Sequence, residues 1–195
     1  DRAHALFFKK QFASARRWAD RALELQPNSL SGWVILGRIH EGLQHPDLAL
    51  EAYERALKID PKSIPALLNR GAILLDLNRL EEALNSINQL LELDPDSAWA
   101  YQNRASLYLK SGQFQKAISD LTTAIQIDPI IAKLYNNRAL AHSYLGHIEK
   151  ALSDYNQAIE LDPNRSPFYN NRGGIFQRLK RYEEALADFN RAIEL

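Results

Sequence analysis

The sequence predicts an all-α fold in which pairs of helices repeat along the chain, and three observations lead to this prediction. A proline recurs every 34 residues, and an alanine stands twelve residues before each proline. Between these markers the apolar residues recur three or four apart, which is the spacing of one helix face. A fixed period of about 20–50 residues is typical of a solenoid of stacked repeats. The markers are Pro27, Pro61, Pro95, Pro129 and Pro163, with Ala15, Ala49, Ala83, Ala117 and Ala151.

The period sets the domain organisation. We number positions within a repeat from 1 to 34, so that the recurring proline is at position 32. The chain then divides into a partial repeat (1–29), four complete repeats (30–63, 64–97, 98–131 and 132–165) and a nearly complete repeat (166–195), which we expect to form a single domain. The chain has no methionine and begins and ends within a predicted helix, so we expect it to be a fragment of a longer protein.

Each repeat predicts two helices, which we call helix A and helix B. Positions 3, 4, 7, 8, 10, 11 and 14 form the apolar side of helix A, and positions 17, 20, 21, 24, 27, 28 and 30 form that of helix B. Gly112 and Gly146 fall between the helices and suit a helix C-terminus. The residue before each proline avoids the helical region, so helix B ends there. Position 34 offers the expected N-caps of the next helix A, namely Ser29, Ser63 and Ser97.

The composition restricts the function. The 24 basic residues balance the 24 acidic ones, which removes the main electrostatic reason to expect nucleic acid or an anionic membrane as partner. No apolar run is long enough to span a membrane. The absence of cysteine fits a cytoplasmic protein and leaves a periplasmic one open. No sequence pattern suggests a cofactor.

The repeat resembles the tetratricopeptide repeat (TPR) over the whole chain. That family places Trp, Leu, Gly, Tyr, Ala, Phe and Pro at fixed positions. The resemblance implies a right-handed α-solenoid superhelix of stacked antiparallel helix pairs, with the A helices lining the concave side and binding other proteins. His40 and His142 stand where the family usually has Tyr, and Arg replaces Leu at position 7 of four repeats. The matching residues in one repeat are Trp33, Leu36, Gly37, Ala49, Tyr53 and Pro61.

The position-7 arginines lie in the middle of the apolar side of helix A. A buried guanidinium needs a partner, because breaking a buried ion pair costs about 3–5 kcal/mol. Aspartate stands at position 23 of three of these repeats, whereas repeat 30–63 has Leu36 and Ala52 at the two positions. We predict structural ion pairs, either within a repeat or to the preceding one, and Arg70 as an exception facing Ser86. The predicted pairs use Arg104, Asp120, Arg138, Asp154, Arg172 and Asp188.

An asparagine precedes each of these arginines, at position 6, which points into the predicted groove. Successive helix layers lie about 9–10 Å apart, and an extended peptide advances about 3.3 Å per residue. A column of amides could therefore hold the backbone of an extended ligand at about every third residue. The column is similar to the asparagine ladder of O-linked N-acetylglucosamine transferase. Alternatively, position 6 is a solvated position without a role. The four residues are Asn69, Asn103, Asn137 and Asn171.

Other groove positions add amides, apolar side chains and charges. Apolar residues in a row on a water-facing side are typical of an interaction surface, although shallow packing between A helices could cover some of them. With Asp76 included, the charges are mixed, which argues against one strongly charged ligand. The candidates are Gln102, Asn136, Asn170, Leu68, Leu75, Trp99, Leu109, Leu140, Tyr144, Arg38, Lys110, Lys133 and Arg178.

Specialised binding and catalytic functions are not expected. Of the residues that form the dicarboxylate clamp in chaperone adaptors, only Asn at position 6 and Lys133 are present. His40 and His45 recur as His142 and His147, but a separation of five places them about 140° apart on a helix, so no metal site is predicted. No nucleophile–base pair or pair of catalytic acids is recognisable.

These observations predict a non-catalytic protein-interaction scaffold that binds an extended peptide or protein segment in its groove. Two alternatives remain. The chain could be the substrate-recruiting arm of a larger enzyme, such as a glycosyltransferase. It could also self-associate end to end, because uncapped solenoid termini expose the apolar side that a neighbouring repeat would cover.

Overall fold

A computed structural model describes the backbone of residues 2–195 and the side chains of residues 11 and 14–195. Within this range the chain forms eleven helices and no strand. None of the described helices has the length and apolar character that a membrane span requires. The helices are α1 (Arg2–Leu25), α2 (Leu30–Gly42), α3 (Pro46–Ile59), α4 (Ile64–Asp76), α5 (Leu80–Leu93), α6 (Ala98–Lys110), α7 (Phe114–Ile127), α8 (Ala132–Tyr144), α9 (Ile148–Leu161), α10 (Ser166–Arg178) and α11 (Tyr182–Glu194).

The predicted helix pairs are confirmed in every repeat from residue 30 onward. Helix A is α2, α4, α6, α8 or α10, and helix B is the helix that follows it; each pair packs along its length. The chain divides into two compact units, Asp1–Pro95 and Asp96–Leu195, in the loop between α5 and α6. Within a unit, each helix B also packs against the helix A of the next repeat, as α7 does with α8 and α9 with α10.

The first repeat differs from the prediction, because α1 runs without interruption from Arg2 to Leu25. The repeat numbering places a break near residues 10 and 11, between a helix A and a helix B. The backbone instead stays helical through Lys10-Gln11. The partial repeat therefore contributes one long helix, which packs on α2.

The turn between helices A and B is the same in all five later repeats. Its position-15 residue has a positive φ even where it is not glycine. The amide of the next residue then donates to a carbonyl five residues back, for example from His147 to His142 at 2.9 Å. This bond pattern is that of a Schellman motif, so backbone hydrogen bonds fix the angle between the two helices. The position-15 residues are Gln44, Asn78, Gly112, Gly146 and Lys180.

Two of the three predicted serine caps form. The Ser29 hydroxyl accepts from the Gly32 amide at 3.2 Å, and the Ser97 hydroxyl accepts from the Ala100 amide at 3.4 Å. Ser63 occupies the cap position but is buried and makes no such bond.

Each unit has its own apolar core along the line where helices A and B meet. In the first unit, Gly37 of α2 touches the ring of Tyr53 of α3, which is fully buried. In the second unit, Ala105, Ala117 and Leu121 have no solvent exposure and pack in one cluster. Small residues at positions 8 and 20 thus allow close approach, and the larger residue at position 24 fills the space between the helices.

Candidate functional site

The candidate site is the side of the A helices that does not pack on the B helices. Positions 2, 6, 9 and 13 are spaced by four, three and four residues, so they lie on one helix face, flanked by positions 5 and 12. We call the surface formed by these six positions the A face. In the first unit it belongs to α2 and α4, and in the second unit to α6, α8 and α10. The neighbouring A helices of a unit contact one another, so their A faces are continuous.

The predicted groove residues differ in exposure. Most remain accessible to a ligand, and Asn136 alone among them is buried. The exposed ones are Arg38, Lys110, Lys133, Tyr144, Asn170 and Arg178; the half-buried ones are Leu68, Asn69, Leu75, Trp99, Gln102, Asn103, Leu109, Asn137, Leu140 and Asn171.

The amides of the second unit form a connected chain rather than four independent groups. The Asn171 amide donates to the Oδ1 of Asn136 at 3.0 Å, and the Asn136 amide donates to the Oδ1 of Asn137 at 3.3 Å. Asn103 donates instead to the carbonyl of Trp99, one turn earlier in its own helix, at 2.8 Å. Asn136 is buried because position 5 of α8 faces α10, and there it links the position-6 amides of two successive repeats.

A cavity of about 410 Å³ opens beside this amide chain in the second unit. Asn136, Asn137 and Lys133 line it from α8, and Phe168 lines it from α10. A polar wall of amides facing an aromatic side chain is typical of the concave sites that hold part of a ligand. The remaining lining residues are Ile131, Ala132, Asp162, Arg165 and Pro167.

The position-7 arginines are joined to the position-23 aspartates within the same repeat. In each pair the guanidinium donates through Nε and Nη2 to both carboxylate oxygens, at 2.7–2.8 Å. These hydrogen bonds raise the pKa of each arginine, with burial opposing the increase. Two parallel charge-assisted bonds fix both side chains, so each pair locks helix A to helix B. The pairs are Arg104–Asp120, Arg138–Asp154 and Arg172–Asp188.

Two of these arginines also contact the preceding repeat, through a residue that is not an aspartate. Nη1 of Arg138 donates to the Thr122 hydroxyl at 3.3 Å, and Nη1 of Arg172 donates to the side-chain Oδ1 of Asn156 at 2.7 Å. Both acceptors stand at position 25 of the preceding helix B. One guanidinium therefore joins three helices.

Arg70 achieves a similar connection in the first unit without an aspartate. It donates to the Ser86 hydroxyl at 2.5 Å, in place of the missing carboxylate. Its Nη2 also lies 3.7 Å from Glu54, at position 25 of the preceding repeat, and 3.7 Å from Glu82.

The tyrosine at position 4, three residues before the arginine, has a role that sequence reasoning missed. The Tyr135 ring lies under the Arg138 guanidinium at 5.7 Å, and the Tyr169 ring lies under Arg172 at 5.8 Å. Their hydroxyls donate to the carbonyls of Pro129 and Pro163, at 3.1 and 3.0 Å. Each tyrosine thus joins the arginine to the loop before its helix, and the common 34-residue spacing of Tyr, Arg and Pro was the available signal.

Tyr144 is a rigid aromatic group on the A face. It is 64% exposed, yet its ring stacks on Phe114 of the preceding helix B, with centroids 4.5 Å apart and planes 7° from parallel. Stacking on one side leaves the other side open to a ligand and restricts the rotation that binding would otherwise have to stop.

The histidine pairs lie closer together than the sequence argument assumed. α8 ends at Tyr144, so His142 and His147 do not share a helix, and the turn brings their Nδ1 atoms to 3.4 Å. His40 and His45 stand in the same arrangement, with ring centroids 6.1 Å apart. Among the residues that the structure describes, no group of three or more possible metal ligands is present.

His142 should make stability dependent on pH. Burial lowers its pKa, and Arg138, His147 and Lys150 lower it further, while Asp154 opposes them. The unfolded chain then binds more protons than the folded one below about pH 6.5, so stability is lost as the pH falls. We expect the free energy of unfolding to fall more between about pH 7 and pH 5.5 in the wild type than in His142→Tyr.

Urea unfolding at the two pH values tests this expectation. Tyrosine is the residue that the TPR usually has at this position, and it does not titrate in this range. His40, which is buried with an Nδ1 that has no hydrogen-bond partner and a pKa lowered by burial, provides the same test in the first unit. An equal loss of stability between the two pH values in the wild type, in His142→Tyr and in His40→Tyr would contradict the assignment of the pH dependence to these histidines.

Comparison with known proteins places nearly the whole chain in one kind of repeat. Residues 20–129 match the family described as the cytochrome c-type biogenesis protein H TPR domain. Residues 132–165 and 166–195 each match the tetratricopeptide repeat. No curated protein matches the chain.

Solved structures share the fold. A crystal structure of MamA is similar at 28% identity and a TM-score of 0.76, over 82% of this chain and 93% of that one. TTC0263, a thermophilic TPR protein in Thermus thermophilus, is similar at 26% identity and a TM-score of 0.65, over 85% and 91%. YrrB, described as a TPR protein with an unusual peptide-binding site, has 18% identity and a TM-score of 0.77, over 90% and 91%, and shows the fold alone.

Proposed function

The chain belongs to the tetratricopeptide repeat family, whose members generally mediate protein–protein interactions, and from that premise we propose that it is a non-catalytic scaffold that binds an extended segment of a partner protein along the A face. The observation that carries the proposal is the amide chain of the second unit. Hydrogen bonds link Asn171 to Asn136 and Asn136 to Asn137, and Asn136 and Asn137 line the cavity that is open beside them. An extended peptide presents backbone donors and acceptors that such amides can pair with.

The support beneath the amides favours binding over a purely structural role. Asn137 is followed by Arg138, which Asp154 and Thr122 hold in place from two repeats. A side chain on a helix fixed in this way loses little conformational freedom when a ligand binds, so more of the interaction contributes to affinity. The open apolar groups nearby, Leu140 and Tyr144, supply area that a partner can bury.

Selection from a random peptide library displayed on phage tests the proposal. We expect Asn103→Ala combined with Asn137→Ala to weaken binding of the selected peptides by about tenfold or more, because both amides lie on the A face. The thermal unfolding midpoint should change little, since neither amide contributes to the core. Fluorescence anisotropy with labelled peptides and a thermal melt provide the two measurements.

A matched control uses two exposed asparagines on B helices, in Asn85→Ala combined with Asn190→Ala. This variant should bind the selected peptides as the wild type does. Equal binding by both double variants would show that the peptides do not use the A face. An early melt of the first variant, with full binding by its folded fraction, would assign the amides a structural role instead.

A further inference from the structure

We infer that the A face of the second unit selects an acidic segment of its partner, an inference that rests on the proposed function and names the chemistry of the ligand. The chain as a whole is neutral, with 24 basic and 24 acidic residues. The charges are nevertheless distributed unequally, because the second-unit A face has three basic side chains and no acidic one among its eighteen positions. The basic residues are Lys110, Lys133 and Arg178.

The three cations are not neutralised from within the protein. All three are exposed, and in the part of the chain that the structure describes none of them forms a salt bridge or a side-chain hydrogen bond. An acid does lie near Lys133, because Asp162 lines the same cavity. Asp162 is itself paired with Arg165 at 2.9 Å, so that it leaves the charge of Lys133 uncompensated.

Four exposed arginines outside the A face do have partners. Arg21, Arg79, Arg165 and Arg181 each pair with a carboxylate three residues away on the same helix or turn. On the A face of the second unit no carboxylate stands at positions 2, 5, 6, 9, 12 or 13 to form such a pair.

The first unit does not share this property. Its A face holds Arg38 together with Glu41 and Asp76, so it is balanced or slightly acidic. The groove that was predicted to carry mixed charge therefore consists of two surfaces: a balanced or slightly acidic one in the first unit and a basic one in the second. The expectation against a strongly charged ligand applies to the first unit and not to the second.

The neutral groups of the second-unit A face suit the same ligand. The amides of Asn137 and Asn170 can donate hydrogen bonds to carboxylate or backbone oxygens. Tyr144 presents one open side of its ring between helices that carry Lys110 and Arg178. A Cβ added to Gly174 would meet nothing within 4 Å, so a peptide backbone can approach α10 closely at that point. Together these features fit an extended segment in which acidic residues alternate with apolar ones.

The test uses peptides of roughly twelve random residues, long enough to cross three helix layers, displayed as N-terminal fusions on phage. In such fusions the peptide has no free C-terminal carboxylate, so any preference for acidity comes from side chains. Peptides selected on the wild type should contain Asp and Glu at about twice their frequency in the library or more. Their affinity should fall by about tenfold when the salt concentration rises from about 50 mM to 500 mM.

Two variants with equal charge changes separate the A face from the rest of the surface. The A-face variant combines Lys110→Gln, Lys133→Gln and Arg178→Gln. It should remove the enrichment in acidic residues and most of the salt dependence. The control variant combines Arg55→Gln, Lys58→Gln and Lys62→Gln, which neutralise three exposed cations outside the A face. It should leave the acidic enrichment and the salt dependence unchanged. A thermal melt checks that each variant folds.

The possible outcomes are distinguishable. Selected peptides without acidic enrichment, whose binding still depends on Asn103 and Asn137, would overturn the charge inference and leave the proposed function standing. Acidic enrichment that persists in the A-face variant, or disappears equally in the control variant, would also overturn it. A selection that enriches no peptide at all would contradict both the inference and the proposed function.

Discussion

Removing the carboxylate of Asp154 is expected to destabilise the protein by about 3 kcal/mol or more. Asp154→Ala leaves the Arg138 guanidinium, whose side chain is 19% exposed, without the two oxygens that it binds at 2.7–2.8 Å. A buried charge that loses its partner is still desolvated, but it no longer has the attraction of the opposite charge to offset that cost. Urea unfolding of wild type and variant measures the loss.

A second substitution distinguishes the ion pair from ordinary packing. Repeat 30–63 has Leu36 and Ala52 at the two equivalent positions, and both are buried in an apolar cluster. Arg138→Leu combined with Asp154→Ala copies that arrangement, so it should recover much of the stability that Asp154→Ala loses. A double variant as unstable as the single one would mean that the aspartate contributes through its volume alone.

An exposed pair of the same residue types provides the control. Asp162 pairs with Arg165 at 2.9 Å, but these side chains are 38% and 67% exposed. Asp162→Ala should therefore cost less than about 1 kcal/mol. Equal losses in Asp154→Ala and Asp162→Ala would contradict the argument from burial.

The second large effect is expected at Gly37, where an added methyl group has no space. An ideal Cβ at this position would lie 2.4 Å from a ring carbon of Tyr53, which is fully buried. The ring cannot move aside easily, because its hydroxyl donates to Glu41 at 2.8 Å. Gly37→Ala should therefore destabilise the protein by about 2 kcal/mol through overpacking, even though alanine favours the helix. Thermal and urea unfolding provide the measurement.

Two further variants check the cause. Gly174→Ala places a methyl group where nothing lies within 4 Å, so it should stabilise α10 by about 0.5–1 kcal/mol. Gly37→Ala combined with Tyr53→Leu copies the Ala105 and Leu121 pair of another repeat and should relieve the clash. A loss of stability in Gly174→Ala as large as that in Gly37→Ala would contradict the steric explanation.

The fold could be predicted from the sequence because the proline and alanine markers of the repeat recur five times at one spacing. A single proline or alanine says little about structure, but one that recurs at a constant spacing identifies the helix ends and the close contacts. The first repeat was predicted less well for the same reason. The copies downstream suggested a break near Lys10-Gln11, whereas α1 continues through these residues.

The candidate site was predicted less completely, because contacts between repeats are not visible in the period. Sequence reasoning could match Arg138 with Asp154 by counting which residues occur together. It could not identify Thr122 as an acceptor, because the equivalent residue of the next repeat, Asn156, is chemically different and the two show no common pattern. It placed Asn136 in the groove from angular position alone, whereas the adjacent α10 buries that side chain.

The histidine pair shows a related limitation. The angular argument required both residues to belong to one helix, and that helix ends at Tyr144, before His147. A positive φ at Gly146 reverses the chain and places the two rings side by side. The glycine was noted as a helix end in the sequence, but its consequence for the histidines needs the coordinates of the turn.

The contacts of Arg138 and Arg172 with the repeat before them have a consequence for how such a chain can lengthen. Arg138 uses an acceptor at position 25 of the preceding block, and its own block carries Asn156, the acceptor for Arg172. A duplicated segment of 34 residues therefore carries both groups that the connection needs. It brings the arginine that contacts the preceding repeat and the position-25 acceptor for the arginine of the following repeat. A gene that copies this block inherits a matching connection at the new boundary, without any compensating change elsewhere.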